Sequence, residues 1–154
     1  MKRVKDLDLF KYIREIREFE FGVFHYFDGL VIGEIKEGVL VTWKMGEKVV
    51  NAAVEIYGED MPIAYISNRI HDYAIVASDW IKFYKNRHQL DFYSVVGNTK
   101  GSFASIMMER MFFKNSIRQF TDLDEAVQWS LKKIKARDQK TIQKSSSSLA
   151  TNME

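Results

Sequence analysis

A chain of 154 residues with 46% apolar and 14% aromatic side chains is long enough to bury one core, and too rich in hydrophobes to be disordered throughout. It has no cysteine, which removes disulfide frameworks, thiolate zinc sites and cysteine nucleophiles, and suits a reducing compartment. The 23 basic and 21 acidic residues nearly cancel, so the broad positive surface of a nucleic-acid binder is not expected. No stretch approaches the roughly 20 apolar residues of a membrane span, and no apolar leader opens the chain, so a cytoplasmic protein is expected.

Taken in chain order, Leu9, Phe10, Ile13 and Ile16 have the spacing of a narrow helical stripe, so residues 1–18 are expected to form an amphipathic helical arm. Its charges are of both signs, which favours packing on the domain or on a second subunit over lying on a membrane. Aromatic and β-branched residues then run from Phe19 to Phe27, and a second such run spans Leu30–Ile35. The Asp28-Gly29 between them predicts a tight hairpin with positive φ at both central residues. Thr42 is suited to cap a helix reaching Tyr57, whose buried face is Met45, Val49, Ala52, Ala53 and Ile56, with Gly58 ending it.

The only proline, Pro62, opens the continuous apolar run Ile63-Ala64-Tyr65-Ile66, as in a strand covered on both faces. Ser78 is expected to cap a helix carrying Trp80, Phe83 and Tyr84. Phe92–Val96 reads as a strand, Gly97–Gly101 as a turn, and Ser102 as the cap of a helix burying Phe103, Ile106, Met107 and Met111. A strand over Ile117–Phe120 and a helix from Thr121 with Leu123, Ala126, Val127, Leu131 and Ile134 on one face complete the pattern. Beyond residue 137, Lys140, Lys144 and the serines 145–148 have nothing to bury, so residues 138–154 are expected to be a disordered tail. The folded domain is then 19–137. Its order, β-β-α-β-α-β-α-β-α, predicts an α/β fold with a mixed, mostly parallel five-stranded sheet.

The run Phe92-Tyr93-Ser94-Val95-Val96-Gly97, followed by Ile117-Arg118-Gln119-Phe120-Thr121-Asp122-Leu123-Asp124-Glu125-Ala126-Val127-Gln128-Trp129, resembles the STAS superfamily, and more closely its SpoIIAA-like branch related to CRAL-TRIO domains. The resemblance covers roughly residues 19–135. It implies a non-enzymatic regulatory or ligand-binding module, acting through a protein partner or through a small apolar or lipid ligand. In STAS antagonists a partner kinase phosphorylates a serine at the start of the helix after the central strand. The nearest position here is Ser67, without the family's neighbouring aspartate and glycine.

In open α/β sheets ligands gather outside the carboxyl ends of the strands. Two segments are candidates for that edge. Ser67-Asn68-Arg69 offers a hydroxyl, an amide and a guanidinium that could grip an anion. Its plainer reading is a turn whose Arg69 pairs with Asp72 or Asp79. The segment Gly97–Ser102 offers Asn98 and Lys100 at a helix start, but its lysine precedes the second glycine, so it is not a Walker A loop.

Trp80, Phe83, Tyr84, Met107 and Met111 could line an apolar pocket between sheet and helices, or simply fill the core. His25, His71 and His88 stand on separate elements without a metal-ligand spacing, and neither Ser94 nor Ser102 sits on a nucleophile elbow. No metal, no cofactor and no catalysis are therefore expected. The alternatives are a lipid or apolar carrier, and an enzyme gripping an anion with Arg69 and Lys100 and using His71 as base. Ile81, Met108, Phe112 and Phe113 lie off the main apolar faces, which points to a homodimer.

Overall fold

The computed structural model describes residues 1–97 and 117–153. Its centre is a six-stranded sheet of β1 (Glu15–Phe19), β2 (Gly22–Phe27), β3 (Leu30–Ile35), β5 (Ala64–Asn68), β7 (Phe92–Val96) and β8 (Ile117–Phe120), in that spatial order. The first three strands form an antiparallel meander, and β3, β5, β7 and β8 run parallel. A second, two-stranded parallel ribbon joins β4 (Leu40–Val41) to β6 (Ala74–Ile75). Three helices are described, α1 (Trp43–Tyr57), α2 (Trp80–Lys85) and α3 (Leu123–Met153). The mixed α/β class expected from the sequence is the one found, with one more strand in the main sheet. The helix expected from Ser102 lies outside the described residues.

The additional strand comes from the expected helical arm. Residues Val4–Asp6 and Asp8–Tyr12 form two short 3-10 turns, and the chain then extends into β1. Pairing decides this: the Arg14 N–H donates to the Tyr26 carbonyl at 2.8 Å, and Glu15 to Phe19 register against Tyr26 to Gly22. Leu9, Phe10 and Ile13 do pack on the core, but Ile16, the fourth member of the supposed stripe, is 45% exposed on the strand's outer side. A four-residue stripe is compatible with turns followed by a strand, and the edge pairing selects the latter.

The hairpin closes at Asp28-Gly29, but only Gly29 takes a positive φ, of 73°. Helix α1 matches its expected limits. The Thr42 hydroxyl accepts from the Met45 N–H at 3.4 Å, and Gly58 ends the helix at φ 63°. A second carboxylate reaches that helix start from afar, since Asp79 Oδ2 accepts from the Trp43 N–H at 2.8 Å. Ser78 caps nothing there; it lies in a 3-10 turn (Ala77–Asp79), and α2 begins at Trp80.

Strand alternation divides the core between two faces. On one, Leu30, Ile32 and Ile66 meet Val4 and Leu7 of the N-terminal turns and Leu123 and Val127 of α3. On the other, Phe24, Tyr26 and Val31 meet α1, with Tyr57 and Ala53. Trp80 of α2 extends this second face over Tyr93 and Val95. Helix α3 continues to Met153 where a disordered tail was expected. Its side chains from Asp138 to Ser147 are exposed, and an ion pair between Arg137 and Asp91, at 2.5 Å, ties it to the domain. A helix satisfies its own backbone groups and so can extend without burying a face.

Because Asp79 holds an otherwise orphaned N–H of α1, Asp79→Ala is expected to destabilise the protein by about 1 kcal/mol. Urea denaturation of the two proteins checks this, with the transition slope unchanged.

Candidate functional site

Ser67 and Asn68 do not lie in a turn. Strand β5 extends through them because its pairing with β7 continues to Ser67↔Val95 and Asn68↔Val96, and the Arg69 N–H donates to the Val96 carbonyl at 2.9 Å. Ser67 is 1% exposed and its hydroxyl is paired with that of Tyr73. Asn68 Nδ2 donates to Glu34 Oε2 at 2.8 Å and to the Lys2 carbonyl at 3.1 Å.

Arg69, 3% exposed, pairs with neither Asp72 nor Asp79. Its Nη2 donates to the Tyr73 carbonyl and its guanidinium lies 4.0 Å from the centre of the Tyr73 ring. Its Nε and Nη1, like Asn68 Oδ1, have no hydrogen-bond partner among the described residues. His71 faces Glu37 at 3.7 Å at the surface, so the described contacts of Arg69 and His71 do not converge. Asn98 and Lys100 lie outside the described residues.

Behind this edge, on the α3 face, lies a polar cluster that sequence reasoning missed. Glu34 Oε2 accepts from Asn68 and from the Val4 N–H at 3.2 Å, and its other oxygen is 3.9 Å from His25 Nε2. His25 is 5% exposed, and since a carbonyl can only accept, its Nδ1–H donates to Ile32 at 3.1 Å. The signal was available: a glutamate and a histidine at core-facing positions of apolar strands need partners. The cluster clips the N-terminal turns onto the sheet, assisted at the surface by Lys2 and Asp124 at 2.6 Å.

The opposite face contains an apolar cavity of about 160 Å³. Its floor is Phe24, Val31, Tyr65 and Tyr93 of the sheet; Val49 and Ala53 of α1 and Trp80 and Phe83 of α2 form its walls. Two glycines shape it. A Cβ on Gly33 would meet the Tyr65 hydroxyl at 2.5 Å and the Phe24 ring at 2.6 Å, and one on Gly46 of α1 would collide with the Phe83 ring. Trp80 and Phe83 were legible as lining residues. Tyr84 is not one, because its ring lies beneath the Arg87 guanidinium, 3.9 Å away. Met107 and Met111 lie outside the described residues. The sheet-side aromatics were missed as lining because alternating aromatics read as ordinary core.

Asn86, Arg87 and His88 line the cavity too, and the exposure of Asn86 and His88 marks its mouth. His88 has φ 55°, an uncommon value for a residue with a side chain. Among the described residues no three acidic, histidine or cysteine side chains are grouped as for a metal ion, and no helix is long and apolar enough to cross a membrane.

No family model matches the chain, and no curated protein matches it. Among solved structures it is similar to an uncharacterized protein of the DUF3478 family with a SpoIIAA-like fold from Shewanella loihica PV-4. The two are 14% identical over 76% of this chain and 90% of that one, with a TM-score of 0.46. The architecture itself is given by the strand order above.

Burial lowers the pKa of His25 below its ordinary 6.5, with the Ile32 carbonyl and the Glu34 carboxylate opposing the shift. The unfolded chain therefore takes up a proton at His25 at a pH where the native protein resists it. Stability from this group is complete above about pH 6.5 and declines as the pH falls from there towards the lower native value. Unfolding free energies measured between about pH 7.5 and 5 should show this slope in the wild type and a shallower one in His25→Gln.

Proposed function

We propose that the protein is a non-enzymatic binding module whose ligand is a small, mostly apolar molecule, held between the sheet and helices α1 and α2. One observation supports the reading above others, an aromatic-walled cavity of about 160 Å³. Protein interiors are close-packed, and the apolar walls around this space forgo part of that packing while it is unfilled. A ligand would recover part of that. The volume is close to that of engineered cavities that accept benzene, so a single ring or a short acyl chain suits it better than an entire phospholipid.

The buried state of Ser67, Asn68 and Arg69 favours a structural role for these residues over docking of a partner or phosphorylation of Ser67. Large exposed apolar side chains, such as Ile16, Leu40, Val54 and Ile81, are spread over several elements. The proposal therefore rests on a small ligand rather than on a self-paired homodimer face. A cytoplasmic setting accords with the cysteine-free sequence.

Toluene is a suitable uncharged probe. It should raise the thermal midpoint of the wild type saturably, as mass action requires of a native-state ligand. Ala53→Leu, which adds methyl groups from the α1 wall, should remove at least most of that increment. An equal response in both proteins, or none in the wild type, would overturn the reading.

A further inference from the structure

The charge of the cavity's mouth bears on what the ligand's polar end must be. No aspartate or glutamate is found among the described lining residues, and Arg87 is their only permanently charged member. Three other arginines have a carboxylate close by: Arg14 lies 3.4 Å from Asp28, Arg17 2.9 Å from Glu15, and Arg137 2.5 Å from Asp91. Arg87 has no such carboxylate among the described residues. It is nevertheless held in place, because its Nη1 donates to the Tyr84 carbonyl at 2.8 Å while its guanidinium plane rests over the Tyr84 ring. A half-buried guanidinium fixed in this way has little freedom left to lose when it engages an anion.

The loop places it there by two local devices. Helix α2 stops after Lys85, with the Asn86 and Arg87 N–H groups closing its last turn onto Lys82 and Tyr84. His88 then takes its positive φ, and the Leu90 N–H returns to the Arg87 carbonyl at 3.0 Å. The chain thus curls back at the rim, where Arg87 is one of the residues lining the cavity. A non-glycine residue kept at positive φ is the kind of local cost that functional loops carry.

Resting on the cavity reading, we propose that the ligand is an amphipathic anion: an aromatic ring or short acyl chain in the cavity, with a terminal carboxylate held at the mouth by Arg87. Hydrogen bonding to a partly desolvated charged group supports a preference of about ten- to a hundredfold for the acid over its neutral counterpart. Both parts of the ligand are needed, since a bare anion would leave the aromatic walls unfilled.

A matched pair separates this inference from the reading beneath it. We expect 4-phenylbutyrate to bind the full-length protein at least tenfold more tightly than 4-phenylbutan-1-ol by isothermal titration at low salt. Arg87→Gln should bring the two affinities within about twofold of each other by weakening the acid alone, and Arg87→Lys should restore part of the difference. Equal affinities in the wild type, or a preference that survives Arg87→Gln, would overturn the carboxylate assignment while leaving the apolar cavity standing. Binding of neither compound, with the variants folded by circular dichroism, would remove the cavity reading and this inference together.

Discussion

The cavity depends on two places where a backbone has no side chain, so that an aromatic ring can occupy the space. At Gly33, in the middle of β3, the Phe24 ring and the Tyr65 hydroxyl stand where a Cβ would be. At Gly46, in the second turn of α1, the Phe83 ring does the same from α2. Rings drawn against the sheet on one side and against the helix on the other line the floor and wall of the space between them. Several aromatic contacts around it are edge-on or tilted, as with Trp43 and Phe83 at 87° and Tyr65 and Tyr93 at 55°, while Phe21 stacks on Phe19 at 11°.

The two faces of the sheet have different characters as a result. The face towards α3 is filled by aliphatic residues and closed by a polar cluster in which Glu34 joins the ends of β3 and β5 to the N-terminal turns. At the carboxyl rim, where α/β sheets commonly present binding groups, the described side chains of Ser67 and Asn68 are spent on internal hydrogen bonds. On the proposed reading, recognition falls to the interior of the other face, where α1 and α2 enclose apolar space and Arg87 would supply the charge. Among the described residues, Arg69 Nε and Nη1 and Asn68 Oδ1 are the polar atoms left without a hydrogen-bond partner at the rim.

Much of this architecture was legible from spacing alone. Strands β3, β7 and β8 and helix α1 agree with the sequence reading at both ends, because each is bounded by a strong local signal: Asp28-Gly29, Thr42, Gly58, or a change from period two to period 3.6. The edge strand β1 was not legible, since its charged residues alternate too weakly to outweigh a helix-like stripe before it, and only pairing with β2 determines it. Ser67, Asn68 and Arg69 were misplaced for a related reason. Polar residues after an apolar strand resemble a loop unless their partners, Tyr73, Glu34 and Lys2, are known to lie beside them. Half the cavity wall was anticipated through Trp80 and Phe83. The rest was not, because a sequence shows which residues are apolar but not where their volumes fail to meet.

The clip formed by Glu34 and Asn68 makes the first residues of the described chain part of the folded core rather than an appendage. Val4 is fully buried, and the Lys2 carbonyl and the Val4 N–H each engage a side chain of the sheet. Without residues 2–4 the Glu34 carboxylate and the Asn68 amide would each lose one hydrogen-bond partner, and the core cluster around Leu30 and Ile32 would lose the Val4 side chain. Residues 2–7 therefore act as a cover on the sheet, and displacing them would expose hydrophobic surface to solvent.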